Sequence, residues 1–268
     1  MELTVLGGSG YVGSEYVRQF QPTHINFRGD YKTYTPDVLY LISTITNNNV
    51  YLDSHVDIDT NLNLLMGVLD NWRTTGKTSV FNFVSSWFVY GYGTNFEEGD
   101  HCSPEGFYSI TKNCAEELLK CYCKTFGLKY RILRLANVVG GFDPKASAHK
   151  NVLQYFIKQL KSDNTIHLIR GGQIYREYIH VEDCAKAIHK VITEGEVNAT
   201  YNIGNNVPTL MVDAVEMLRT LLRSKSALEY KDGEAKSFSM KAEKLRDLGY
   251  KPQYVGNKLW EKVAEDSV

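Results

Sequence analysis

"VLGGSGYVGSEYV", residues 5–17, decides how the rest of the chain is read. A continuous apolar strand over 3–7 breaks on glycines and gives way to a helical pattern near 11–20. Gly7, Gly10 and Gly13 lie between the two, and each has a separate use. The first permits a tight turn, the second lets backbone N–H groups approach a pyrophosphate, and the third lets helix and strand pack closely. The start of the helix then directs its partial positive charge at the phosphates. Glycines also make ordinary turns, but the strand–loop–helix context favours a dinucleotide site, with Tyr11 and Val12 at the head of the helix beside it. The spacing Gly-x-x-Gly-x-x-Gly differs from the Gly-x-Gly-x-x-Gly of the commonest dehydrogenases.

The same alternation of short apolar runs and longer helical patterns continues outward from this stretch. Strands are expected at 24–27, 37–44 (preceded by Pro36), 79–86 and 130–140, and helices at 58–72 and 108–126. This is the pattern of βαβ units and a parallel sheet. Beyond it come helices at 151–161, 183–194 and 211–223, strands near 166–169, 178–181 and 200–204, and a small C-terminal helix. The expected fold is α/β, a Rossmann-type doubly wound parallel sheet with a smaller C-terminal substrate-binding lobe. Residues 1–140 would form mainly the NAD(P)-binding domain and 141–268 mainly the lobe, partly interleaved with it.

Composition narrows the function classes. At 268 residues the chain can bury one sizeable α/β core. A net charge of −1, with no basic block or acidic tail, speaks against nucleic-acid and membrane partners. No apolar run approaches the ~18 residues needed to span a bilayer. The five cysteines lack zinc-type spacing, so no metal is expected, and free thiols suit a reducing cytosol. With no leader ahead of the first strand, a cytoplasmic location is expected.

Two stretches carry chemistry. "SVFNFVSSWFVYG" (79–91) is a buried strand that ends on two hydroxyls, and "FYSITKNCAEELL" (107–119) places Tyr108 and Lys112 four apart on one helical face. An ammonium near a phenol stabilises phenolate and lowers its pKa from about 10 toward neutrality, giving a usable acid/base.

With the glycine loop, this Tyr-x-x-x-Lys pair resembles the extended short-chain dehydrogenase/reductase family of nucleotide-sugar epimerases, dehydratases and reductases. The resemblance runs through most of the chain. It implies catalysis by Tyr108, Lys112 and Ser86, with Ser86 hydrogen-bonding the reacting oxygen and Ser85 a structural strand-end hydroxyl. In the family's 4,6-dehydratases an Asp-Glu pair follows that serine; Trp87 and Phe88 stand here, and neither can exchange a proton. What remains is 4-epimerisation through a transient ketone, or one-way reduction of a keto-sugar. A non-catalytic dinucleotide-sensing protein is the alternative of another class.

"RLANVVGG" (134–141) and "GGQIYREYIHVEDCAKAI" (171–188) are similar to family segments that bind the substrate diphosphate. They make Asn137 and Arg176 candidates, a guanidinium suiting bidentate phosphate binding. His180, Glu182 and Asp183 read as caps of the following helix. Asn61 matches a family asparagine, or is simply polar on its helix. The cofactor set implied is Gly7, Gly10, Tyr11, Val12, Gly13, Arg28, Asp30, Ser43, Asn61 and Lys112.

One departure bears on the cofactor. A single short strand stands between the first helix and "PDVLYLIST", where the family normally has two. "FRGDYKTYTPDV" aligns in two ways. Either Arg28 follows the second strand and favours a 2′-phosphate, or Gly29-Asp30-Tyr31 is a later motif whose aspartate faces the adenine. In both, the acid expected about 20 residues after the loop is absent, so the cofactor is NAD(P) with NADP favoured. A nucleoside-diphosphate sugar is the expected partner. By analogy the chain should form a homodimer, packing helices 58–72 and 108–126 of each subunit into a four-helix bundle.

Overall fold

In the computed structural model, residues 2–26, 29–74, 80–141 and 151–267 are described. The elements are β1 (Leu3–Leu6), α1 (Tyr11–Phe20), β2 (His24–Asn26), β3 (Asp37–Tyr40), α2 (Val56–Ile58), α3 (Leu64–Thr74), β4 (Val80–Ser86), β5 (Gly93–Phe96) and α4 (Phe107–Phe126). A π-helical turn, Asp59–Asn63, joins α2 to α3 without a break. Then follow β6 (Lys129–Leu135), β7 (Asn137–Val139), α5 (Val152–Lys161), β8 (Ile166–Ile169), β9 (Tyr175–His180), α6 (Val181–Glu194) and β10 (Ala199–Ile203). The chain ends with β11 (Pro208–Leu210), α7 (Met211–Leu221), β12 (Leu228–Lys231), β13 (Phe238–Met240), α8 (Glu243–Asp247) and α9 (Asn257–Glu265).

Six parallel strands form the main sheet in the order β10-β6-β4-β3-β1-β2. Side chains alternate between its faces. Leu3, Val5, Val84 and Leu133 meet α1 and α6 on one side, while Leu6, Phe81, Phe83 and Ile132 meet α3 and α4 on the other. The strand order reverses at β1, leaving a crevice beyond the carboxyl ends of β1 and β3, where open α/β sheets bind ligands. The sheet stops at β2. Residues 29–36 fold straight back to β3, held by the Thr4–Thr35 hydroxyl pair at 2.7 Å and by Thr33 N–H donating to Asn71.

The strand expected over 130–140 is two strands in different sheets. At Ala136 the chain leaves the main sheet and β7 pairs with β9 instead. That break carries Asn137 out of the parallel layer and toward the lobe. The lobe has its own core, built from α5, α7, α9 and β8 around Phe156, Leu218 and Trp260. α6 and β10, from the second half of the sequence, return to the main layer. β5, β11, β12 and β13, three or four residues each, are too short to show a period in the sequence.

Candidate active site

The turn after β1 needs its glycines for reasons visible atom by atom. Gly7 has φ +90, and Gly10 N–H donates to its carbonyl at 3.0 Å. A Cβ on Gly13 would stand 2.2 Å from that carbonyl oxygen, and one on Gly7 would press on Leu41 at 3.1 Å. The chain therefore comes to the head of α1 without side chains at Gly7, Gly10 and Gly13, at the edge of the crevice, and a helix N-terminus there suits an anion. Beyond it lies a cavity of about 540 Å³. Gly7, Gly10, Tyr11, Val12, Gly13 and Ser43 line one end, and Ser86, Tyr108, Lys112 and Asn137 the other. The residues present fit a dinucleotide: a glycine turn and helix head that suit phosphates at one end, and a tyrosine, a serine and a lysine at the other.

Asp30 lies outside this cavity, in an adjoining one of about 410 Å³ reached past Ser9 and Gly10, together with Asn26 and Tyr31. Asp30 accepts from the Tyr34 hydroxyl at 3.0 Å. Arg28 lies outside the described residues. Asn61 lines neither cavity. It is buried, accepts from Thr44 N–H, and donates to the hydroxyls of Thr44 (2.8 Å) and Thr111 (2.9 Å). With every polar atom engaged inside the protein, it braces the crevice wall where direct cofactor contact was expected.

Tyr108 is buried at the head of α4. Burial raises its phenol above the ordinary value, and hydrogen bonding with Ser86, then Ser43, pulls it part of the way back. Lys112 departs from expectation. Its ammonium donates to the Val84 carbonyl at 2.7 Å and sits 4.0 Å over the Phe83 ring. Burial depresses it to about 7, with nearby Glu116 opposing. The expected lowering of the phenol by this lysine is therefore not what the protein alone provides: the ammonium is spent on the strand, and the phenol stays high.

The two serines that end β4 divide the labour. Ser85 donates to Glu116 at 2.5 Å and is buried, whereas Ser86 opens on the cavity and accepts from Phe88 N–H. Trp87 is sandwiched between Phe88 and Phe238 with centroids 4.0 and 4.1 Å away. Phe88 meets the Tyr108 ring edge-on at 5.8 Å. Behind these rings is a third cavity, of about 200 Å³, that Asn137 and Arg176 line. Arg176 donates to the carbonyls of Tyr175 and Lys236, faces the Trp87 ring at 5.9 Å, and forms no ion pair among the described residues. Burial holds its pKa below the usual guanidinium value. A half-buried cation without a carboxylate can receive an anion. Asn137 donates to the Glu177 carbonyl at 3.0 Å, leaving its amide oxygen on the cavity side.

Among the described residues, no aspartate or glutamate lines the cavity that holds Tyr108 or the one behind the aromatic rings. No group of three or more His, Cys, Asp or Glu side chains is placed to hold a metal among them. His180 and Asp183 serve structure. His180 caps α6, accepting from Glu182 N–H, and its other nitrogen meets Asp266 at 2.8 Å; Asp183 accepts from Tyr254 N–H. The residues missed by sequence reading are Thr44 and Thr111, which meet Asn61, Asp57, which accepts from Thr44, and Phe238, which completes the Trp87 stack. They come from distant segments and belong to no motif.

Fold and cavity together are those of a dinucleotide-binding α/β protein, with a buried tyrosine lining the cavity beyond the glycine turn. A family model described as "NAD dependent epimerase/dehydratase family" matches residues 27–204. The chain belongs to that family, whose members are enzymes. It is 26% identical to the low-salt glycan biosynthesis protein Agl12 of Haloferax volcanii, over 95% of this chain and 94% of that one. It is also 26% identical to a dTDP-glucose 4,6-dehydratase of Salmonella typhimurium, over 94% and 88%. The crystal structure of the UDP-glucose 4-epimerase of Thermus thermophilus in complex with NAD superposes with a TM-score of 0.87 at 19% identity, covering 100% and 99%.

Proposed function

We propose that the protein carries out reversible oxidation at C4 of a nucleoside-diphosphate sugar, as a 4-epimerase and not as a 4,6-dehydratase. The observation that supports this most is the make-up of the wall beside Tyr108. Removing water across a sugar ring needs an additional acid and base, and the two side chains after Ser86 are aromatic rings stacked on each other. The groups facing the reacting centre are one phenol, hydroxyls and an ammonium, enough for proton transfer at a single oxygen.

In this reading the loop and the head of α1 hold the diphosphate of NAD(P), which when bound takes up or returns the hydride. Asn137 and Arg176 hold the diphosphate of the substrate and so place the sugar over Tyr108. Tyr108 removes the proton of the C4 hydroxyl and later gives it back, while Ser86 hydrogen-bonds the same oxygen. Lys112, anchored on Val84, closes the inner end of the cavity and contributes to cofactor binding. The stack of Phe88, Trp87 and Phe238 keeps water from the exposed ketone.

A one-way keto-sugar reductase using NADPH would need the same residues, so the test separates the two by cofactor consumption. Purified protein is incubated with a panel of nucleoside-diphosphate sugars and their 4-keto forms, with each nicotinamide cofactor. Expected is an inverted C4 product without net change in reduced nicotinamide; stoichiometric consumption would instead establish the reductase. Tyr108→Phe should lower turnover by about 10²–10⁴-fold with cofactor binding retained, and near-normal turnover would remove the assignment.

Two further readings go with this function. Ile58, Phe107, Ile110 and Leu118, all exposed on α2 and α4, suit burial against a second copy. The five cysteines are free, which suits a reducing cytoplasm.

A further inference from the structure

We infer that Ser43 is a second catalytic hydroxyl, which donates a hydrogen bond to the Tyr108 oxygen whenever that oxygen is ionised. The inference rests on the reading of Tyr108 as the acid/base and adds a residue so far placed only beside the cofactor.

The geometry comes from two neighbouring strands. β3 and β4 are parallel and paired, so Ser43, just past the end of β3, and Ser86, the last residue of β4, emerge on the same side of the sheet. Both line the cavity into which Tyr108 projects, on the side of its hydroxyl. Lys112 offers that hydroxyl no donor, because its ammonium is held by the Val84 carbonyl. A phenolate in this buried place must find its donors elsewhere, and Ser43 and Ser86 are the hydroxyls beside it.

Ser43 is also held in position as an ordinary loop serine would not be. The next residue, Thr44, is buried and bound three ways: its hydroxyl donates to Asp57, and Asn61 takes its N–H and donates to its hydroxyl oxygen. Asn61 then donates to Thr111, one turn along α4 from Tyr108. Asp57, Thr44, Asn61 and Thr111 thus clamp the segment bearing Ser43 onto the helix bearing Tyr108. This gives a use to a buried polar network that no motif explains.

The hydroxyl has two stations. With the phenol neutral, Ser43 donates to the Thr44 carbonyl. With the phenol ionised, rotation about Cβ–Oγ turns the same proton toward Tyr108. When the substrate hydroxyl gives up its proton, its O–H bond breaks, a new O–H bond forms on Tyr108, and the Ser43 hydroxyl returns to Thr44. No covalent bond to Ser43 is made and no net proton is consumed.

The test reads the phenol directly. 3-Fluorotyrosine is placed at position 108 of the full chain and its fluorine resonance is titrated in wild type, Ser43→Ala, Ser43→Cys and Ser43→Thr, without substrate. Because hydrogen bonds to a charged group are stronger than those to a neutral one, Ser43→Ala should raise the apparent pKa by about one unit. Ser43→Cys, a weaker donor of similar shape, should give a smaller rise, and Ser43→Thr should restore the wild-type curve. Turnover near neutral pH should fall about tenfold in Ser43→Ala, with cofactor affinity, followed by nicotinamide fluorescence, within about twofold of wild type. Superimposable titrations for wild type and Ser43→Ala would overturn the inference, as would a loss confined to cofactor affinity. If the titration shifts but wild type turns over no nucleotide sugar, the functional proposal fails while the Ser43–Tyr108 pair stands.

Discussion

Two cations lie buried on either side of Glu116, and they have opposite fates. Arg134, 3% exposed, meets the carboxylate with Nη2 at 2.7 Å of Oε2 and Nε at 3.1 Å of Oε1, and its guanidinium covers the Tyr90 ring at 4.6 Å. That pairing outweighs burial and raises its pKa above the usual arginine value. Lys112, 1% exposed and one turn of α4 before Glu116, has a carbonyl and an aromatic face but no carboxylate in contact. Burial wins there, and its pKa falls to about 7. The lesson concerns the division of roles. A buried charge that is fully paired holds strands together, whereas one left short of a partner costs stability and remains available to a ligand.

The largest effect should come from breaking the paired side. Glu116→Ala strands Arg134 and takes away the acceptor of Ser85, so a loss of about 3–5 kcal/mol is expected in denaturant unfolding. A loss below about 1 kcal/mol would show that the pair is not the anchor described here. Lys112→Met sharpens the other side. With the desolvated ammonium gone and the volume nearly kept, stability should equal wild type or exceed it by up to about 2 kcal/mol. Turnover and cofactor binding should fall in the same variant. A clear loss of stability would mean that the hydrogen bond to Val84 outweighs the burial cost.

The smallest effect is a drift with pH. Between about 7 and the ordinary 10.5 the unfolded chain holds a proton on Lys112 that the folded chain does not. Its contribution to stability therefore rises with pH through that window and is lost as pH falls through about 7. The stability gap between Lys112→Met and wild type should accordingly be widest near pH ~6 and narrow toward pH ~10. A gap that widens in that direction would place the lysine in a charged, well-paired environment.

What was readable in advance divides along similar lines. The glycine spacing, the helix at 11–20 and the four-residue interval from Tyr108 to Lys112 are local facts, and the structure has each of those elements where the residues put them. The break at Ala136 was not readable, because an apolar run such as "ILRLANVV" looks alike whether it stays in one sheet or crosses to another. The sequence leaves Asn61 open between a family ligand contact and a polar residue on its helix, and its side-chain partners Thr44 and Thr111 are not legible there because they stand 17 and 50 residues away. The direction of the Lys112 ammonium escaped for a related reason. Spacing places two side chains on one face but does not say which acceptor lies nearest their tips.

Residue order alone therefore determined the glycine turn ahead of α1 and the presence of a tyrosine and a lysine one helical turn apart, because turn sterics and helical pitch act over a few residues. Packing of β3 and β4 against α4 decided which hydroxyls surround that tyrosine, where the lysine's proton rests, and which cation Glu116 neutralises. Those outcomes depend on strand register and on the desolvation of groups far apart in the chain, and both exist only once the sheet has formed.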